Sequence, residues 1–365
     1  MAERVEALLK NMKSNNIDSM FVTSQANVYY MTNYYTDPHE RLVAVYISNN
    51  FDPVLIIPAM EEEDAKAAGW QYELITYQDH ENPWEKFYQT LHHNKKLPQT
   101  IGVENSHLTL DRYQTLQKFF SNTTVIDGEE LLANLRVIKS KQEYERLKTA
   151  ADLADFGIKT GIQSIREGVT ELEVIANIEY ELKKQGIQEM SFSTMTLSGA
   201  KTASPHGTPS MKKINSGDIV LFDLGVVYEG YCSDISRTVA FKSLTEEQKT
   251  IYNTVLQAEQ KAIDASKIGV ATGQLDQIAR NHIADAGYGD YFTHRIGHGL
   301  GIETHEYPSM HGNNDLPLKA GMCYTIEPGI YVPGVAGVRI EDMIYMTEQG
   351  PEVLTKSPKD LQIID

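Results

Sequence analysis

The chain has 365 residues, 41% of them apolar, and a net charge of −17 from 33 basic and 50 acidic residues. That length accommodates two domains with cores of their own, and the acidic balance excludes a nucleic-acid binder, which would present a basic face. Two cysteines, Cys232 and Cys323, are too few for a disulfide framework and fit a reducing cytosol.

The opening stretch MAERVEALLKNMKSNN is charged from its third residue and lacks the apolar core of a signal peptide. No apolar run approaches the ~20 residues that span a bilayer. A soluble, cytoplasmic protein without a membrane partner is expected. Residues 1–127 alternate short apolar runs with helix-like stretches. Strands are expected at 20–24, 42–47, 53–59, 101–104 and 123–127, and helices at 3–14 and 110–120. This is the pattern of a small α/β domain. Residues 128–139 read as the connection to a second domain, 140–365.

In the second domain SKQE (140–143) and TELE (170–173) fit the capping-box pattern. Leu147, Ala151, Ala154, Ile158, Ile162 and Ile165 recur at helical spacing between them. The second of these helices runs to about Lys184 and stops at Gly186. Further helices are expected at 246–266 and 273–286, the latter ending before Gly287. Strand-rich segments at 191–241 and 322–347 make this domain α+β.

The segment FDLGVVYEGYCSDISRTVAF (222–241) reads as a hairpin with an aspartate in each arm. A tight turn at Tyr228-Glu229 sets Asp223 opposite Asp234, with Cβ atoms about 4.5–5.5 Å apart. Alternation puts Val220, Phe222 and Leu224 on one face and Asp223 on the other. CYTIEPGIYVPGVAGVRIEDMI (323–344) repeats the figure: a hairpin about position 334 opposes Glu327 and Glu341. Directly opposed like charges are destabilising unless a cation lies between them. Four carboxylates suit two divalent cations. His298, between Gly297 and Gly299, supplies a nitrogen donor in a loop that permits close backbone approach. Oxygen donors with one imidazole suit Mn2+, with Zn2+ or Co2+ as alternatives. The competing reading, that the acids only pair with Arg237 and Arg339, accounts for two of the four at most. The two cysteines read as packing thiols, and no Ser-His-Asp motif, phosphate loop or CxxC is present.

The spacing of Asp223 and Asp234, the Gly-His-Gly loop, TIEPGIY and GVRIED resemble the creatinase/prolidase/methionine-aminopeptidase superfamily, the "pita-bread" metallopeptidases of family M24. The likeness covers essentially all of 140–365, and 1–130 resembles the creatinase-like N-terminal domain of prolidases and aminopeptidase P. DPHER (37–41) and THRIGHGLGIETHEYPS (293–309) look particularly like bacterial Xaa-Pro dipeptidases. The resemblance implies a C-terminal pita-bread domain preceded by a smaller α/β domain. It makes Asp223 a ligand of a first metal, His298 and Glu327 ligands of a second, and Asp234 and Glu341 bridges between them. It further implies a nucleophilic hydroxide shared by the two ions, and Glu327 as the group that moves its proton. His206 (SPHG) and His305 (THEYP) match family histidines that steady substrate or oxyanion. Arg339 shares a strand face with Glu341 and steadies the bridging carboxylates or reaches a substrate carboxylate.

The implied reaction is hydrolysis of Xaa-Pro dipeptides by a homodimer. Such a dipeptidase must hold a free carboxylate, for which Arg295, Arg339 and the 37–41 loop with His39 and Arg41 are candidates. The nearest alternative is aminopeptidase P, with the same chemistry on longer peptides. Methionine aminopeptidase, a di-metal hydrolase of another amide or phosphorus ester, and a non-catalytic peptide-binding module on the same fold are weaker alternatives. The complete set of five ligands argues against the last.

Overall fold

The structure, a computed structural model, describes residues 2–94 and 96–365. It divides into two compact units, Met1–Arg136 and Val137–Asp365. Among the described residues no helix is long and apolar enough to cross a membrane.

The first unit is built on a six-stranded sheet of β1 (Ser19–Val22), β2 (Ala44–Ser48), β3 (Phe51–Pro58), β4 (Glu73–Tyr77), β5 (Thr100–Val103) and β6 (Thr124–Asp127), in the order β4-β3-β2-β1-β5-β6. The helices are α1 (Ala2–Ser14), α2 (Gln25–Thr32), α3 (Glu62–Ala67), α4 (Pro83–His93), α5 (Leu110–Phe119) and α6 (Glu129–Val137). Phe21, Tyr46, Val54, Ile56, Phe87 and Leu116 form its core. Helices α2, α3, α4 and α6 and strand β4 escape sequence reasoning. Helix α2 is buried along nearly its whole length, so it shows no polar–apolar period. Helix α4 starts on an Asn82 cap with Pro83 at its first position, and β4 runs partly exposed. Residues 129–137, inside the stretch expected to connect the domains, form α6, because EELLANLRV combines acids in its first turn with Arg136 in its last.

The second unit opens with α7 (Lys141–Ser164) and α8 (Glu171–Lys184), both beginning on complete capping boxes at Ser140/Glu143 and Thr170/Glu173. There follow β7 (Met195–Ser198), β8 (Ile219–Leu224), β9 (Val227–Tyr228), β10 (Tyr231–Cys232) and β11 (Ile235–Phe241). Helices α9 (Glu246–Ala265) and α10 (Thr272–Asp285) come next. Then come β12 (His298–Gly299), β13 (Glu306–Ser309), β14 (Cys323–Ile326), β15 (Gly329–Val332), β16 (Ala336–Arg339), β17 (Asp342–Thr347), β18 (Gly350–Val353) and β19 (Ile363–Ile364). They assemble as sheets β19-β11-β8-β7 and β13-β12-β14-β17-β18, with β15-β16 and β9-β10 as ribbons.

Each helix pair covers one group of strands. Val220, Phe222, Leu224, Ile235 and Val239 pack with Ala154, Ile158, Val174 and Ile178 of α7 and α8. Tyr324, Ile326, Val338, Ile340 and Ile344 pack with Ile251, Val255, Leu275 and Ala279 of α9 and α10. Burying each large apolar side chain contributes about 1.5–3 kcal/mol, so the strand faces toward the helices are strongly specified. Alternation then sends Asp223, Ser236, Glu327, Arg339 and Glu341 to the opposite faces.

The first hairpin differs from the expectation in its register. The turn falls at Glu229-Gly230, with φ of 45° and 76°, not at Tyr228-Glu229. A two-residue turn with positive φ at both positions wants glycine second, and Gly230 is the residue that offers it. Asp223 therefore pairs with Ser236 rather than Asp234. The shift is even, so Asp234 stays on the same face.

Candidate functional site

Strand register builds the site as a row. Asp223 lies opposite Ser236 in the β8–β11 ladder, and Ser236 bridges to Glu341. The β14–β17 and β15–β16 ladders share one register, which places Glu327 opposite Glu341 in the gap between them. Asp234 enters from the residue before β11. Ligand atoms of Asp234, His298 and Glu341 all lie within 4.8 Å of one another. His298 Nε2 is 3.4 Å from Glu327 Oε1 and 3.7 Å from Asp234 Oδ2. The structure thus brings Asp223, Asp234, His298, Glu327 and Glu341 to one place.

The electrostatics of this cluster suit a bound cation. Burial, then Glu341, Asp223 and Glu327, push Asp234 well above the usual carboxylate range. Burial and then Glu341 do the same to Glu327. Burial and Asp223 push Glu341 up to about 8. Among the described residues, Asp223 Oδ1 and Glu341 Oε1 are buried without a hydrogen-bond partner. Burial and then His305 hold His298 down at about 3, so its ring is neutral. Its Nδ1 donates to the Gly299 carbonyl at 3.1 Å, which leaves the Nε2 lone pair facing the acids. Orphaned carboxylate oxygens, repelling carboxylates and an aimed imidazole nitrogen fit a divalent metal ion, whose charge would relieve all three.

One guanidinium organises the row. Arg339 Nη2 donates to Asp223 Oδ2, Nε to Ser236 Oγ at 2.8 Å, and Nη1 to Tyr331 Oη at 2.9 Å. Ser236 in turn donates to Glu341 Oε2 at 2.8 Å. His294 Nδ1 donates to the Arg295 carbonyl at 2.8 Å, so its Nε2 accepts from Tyr331 Oη at 3.0 Å. Burial keeps His294 neutral, at about 4. Sequence reasoning missed Ser236, Tyr331 and His294. Strand parity with Asp234 and Glu327 was the available signal for the first two. None existed for His294, whose role depends on a ring contact across the fold. Arg237 does not pair with the four acids. It points to the helix side of β11 and binds Asp342 at 2.6 Å.

The other candidates sit at different distances from this chemistry. His305 lies edge-on against His298, ring centroids 4.2 Å apart. Its pKa is lowered by burial and then by Arg295, with Asp223 and His206 also acting on it. His206 stands exposed in the turn Ser204–Gly207. Arg295 Nη1 donates to Ser309 Oγ at 3.0 Å. His39 and Arg41 belong to the first unit. His39 is exposed at φ 52°, and Arg41 pairs with Asp79 through Nε at 2.9 Å and Nη2 at 3.2 Å. Cys232 and Cys323 are buried and reduced, and burial raises their thiols to about 11 and about 12.

Comparison with known proteins agrees with this geometry. Residues 145–348 match the model of Metallopeptidase family M24, and residues 4–138 match the Creatinase/Prolidase N-terminal domain. A Bacillus subtilis (strain 168) protein named "Putative dipeptidase YkvY" is 49% identical over 99% of this chain and 99% of its own. The Xaa-Pro dipeptidase structure from Bacillus anthracis superposes with a TM-score of 0.93 at 36% identity, covering 100% of this chain and 99% of that one. The X-Pro aminopeptidase from Thermotoga maritima MSB8 superposes with a TM-score of 0.86 at 31% identity, covering 96% and 98%. With a creatinase-type N-terminal domain, a pita-bread C-terminal domain and a buried carboxylate–imidazole cluster, the chain belongs to metallopeptidase family M24.

Proposed function

We propose that the protein hydrolyses the Xaa-Pro bond of dipeptides and releases free proline. The observation that carries this reading is the row of four carboxylates, Asp234 and Glu341 buried and Asp223 and Glu327 partly so, with neutral His298 aimed into it. The likeness to an Xaa-Pro dipeptidase over the whole chain supports the substrate class. Asp223, Asp234, His298, Glu327 and Glu341 would hold two divalent ions, with Mn2+ expected. Bound there, they would supply Lewis acidity for the scissile carbonyl and a lowered pKa for the attacking water.

The chain's own residues do the rest. Glu327 takes the proton of the attacking water and passes it to the proline nitrogen. Its carboxylate lies beside the other ligands, 3.4 Å from His298 Nε2, where the attacking water would be held. His305 and His206 face the developing oxyanion and steady the substrate. Arg339 is engaged by Asp223, Ser236 and Tyr331, so its part is to hold the ligands rather than to reach a substrate carboxylate. That leaves Arg295 to bind the carboxylate, with the 37–41 loop, His39 and Arg41 included, limiting substrate length at one of the active sites of a dimer. We further propose a cytoplasmic homodimer.

The test is proline release from Met-Pro and Leu-Pro by metal-stripped protein with Mn2+ added back, beside an Xaa-Pro-Xaa tripeptide. Metal-restored activity on the dipeptides alone is the expected result. Activity mainly on the tripeptide moves the assignment to Xaa-Pro aminopeptidase, and inactivity on both with metal bound overturns the substrate class.

A further inference from the structure

The helix-facing side of the same strands carries a second polar cluster, which the chemistry above does not use. Arg237 is among the largest fully buried side chains. Its Nη1 donates to the carbonyls of Glu341 at 2.6 Å and Ser236 at 3.0 Å. Its Nη2 donates to Asp342 Oδ1 at 2.6 Å and the Ser357 carbonyl at 2.8 Å, and its Nε to Ser357 at 3.1 Å. All five donors are used. Asp342, itself fully buried, also accepts from Thr355 Oγ1 at 2.6 Å and pairs with Lys359 Nζ at 2.7 Å. Lys359 pairs in turn with Glu259 of α9 at 2.8 Å. Tyr252, also on α9, donates to the Lys359 carbonyl at 2.8 Å, and Asp155 caps the amides of Lys356 and Ser357 at 2.6 and 2.7 Å.

We infer that the C-terminal segment Thr355–Lys359 is a strap that positions the metal ligand Glu341 through Arg237 and Asp342. Three observations carry it. Arg237 grips the backbone of both Ser236 and Glu341, the residues whose side chains meet on the metal side. Asp342 follows Glu341 in sequence, and its carboxylate is fixed by groups from the strap. The strap is itself anchored to the helices, Lys359 by Glu259 of α9 at 2.8 Å and the Ser357 amide by Asp155 of α7 at 2.7 Å. A cluster of two cations and two carboxylates in which only Lys359 reaches solvent, at 22% exposure, is costly unless every partner is in place. Removing one member frees the others to move, and Glu341 with them. Outer partners of this kind typically hold metal affinity by about 10–100-fold. Arg237, Asp342, Thr355 and Lys359 are therefore positioning residues.

The inference rests on the reading that Glu341 holds a metal. The test is equilibrium dialysis of metal-stripped full-length protein against Mn2+, for wild type and Lys359→Met, at a temperature where near-UV dichroism shows both folded. The expected result is a dissociation constant raised by about tenfold or more in the variant. A purely structural role would lower the unfolding midpoint and leave that constant unchanged, so a constant within twofold of wild type overturns the strap. Should Lys359→Met not fold, Thr355→Val is read by the same criterion, because it removes one bond to Asp342 and keeps the shape. Failure of wild type to bind Mn2+ would overturn the metal reading, and the strap with it.

Discussion

At the scale of single residues the site is governed by who satisfies whom. Arg339 has three partners, and each ties it to a different part of the row. Its alternation with Glu341 is plain in GVRIED, but the direction of its guanidinium is not, because that depends on Tyr331 and Ser236 from other strands. Tyr331→Phe removes one oxygen and leaves Arg339 Nη1 and His294 Nε2 without it. Unpaired buried polar groups cost about 1–3 kcal/mol, so a drop of that size in unfolding free energy is expected by urea titration. Metal affinity should fall about tenfold, read by the same dialysis. Full retention of both would mean that Arg339 is held by Asp223 and Ser236 alone.

At the scale of elements the deciding quantity is register. The alternation of Val220, Phe222 and Leu224 with Asp223 predicts the buried and polar faces correctly, since period two is a local property of a strand. The partner of Asp223 was misplaced because the turn residues were misread by one position. The error moved the partner by two residues, so Asp234 stayed on the same face. The second hairpin needed no such correction: Gly329 pairs with Arg339 in the register that opposes Glu327 to Glu341. The Gly-His-Gly loop shows the same economy. A Cβ built on Gly297 would sit 2.0 Å from the Thr325 carbonyl oxygen, a contact that places His298 beside β14. Gly297→Ala is expected to cost about 3 kcal/mol and to abolish tight metal binding. A variant with wild-type midpoint and affinity would show that the loop can retreat without moving His298.

At the scale of the whole molecule, pH and metal should act together. Glu341 stands at about 8 in the fold against an ordinary 4.5. Between those values the folded protein holds a proton that the unfolded chain has lost, so stability falls as pH rises. His298 works in the opposite sense. Held at about 3 against 6.5, it takes stability away as pH drops below 6.5. From pH 6.5 to 8 only the carboxylates act, and the metal-free protein should lose thermal stability steadily across that window. Glu259, raised to about 8 by burial and Asp342, adds the same slope with or without metal. Saturating Mn2+ should remove the part due to the metal ligands and flatten the profile, and identical slopes in scanning calorimetry with and without Mn2+ would contradict the site. The proposed part of the 37–41 loop in substrate binding has its own test. Arg41→Ala should raise KM for Leu-Pro by about ten- to a hundredfold with little change in kcat, as loss of a charged hydrogen bond worth about 1.5–3 kcal/mol predicts. Unchanged dipeptide kinetics would remove the 37–41 loop from the site.

The sequence by itself determined the helix caps at Ser140 and Thr170 and the polar faces of the strands, and it put forward Asp223, Asp234, His298, Glu327 and Glu341 as candidate ligands. Each follows from local rules: spacing, periodicity and the chemistry that opposed acids require. What only the tertiary structure decided is how those five are held. Tyr331, His294, Ser236, Arg237 and Lys359 contribute through contacts made across distant segments, such as Arg237 with Ser357 and Lys359 with Glu259. A buried ion or hydroxyl has no periodicity of its own. Its meaning lies in the partner that folding brings to it.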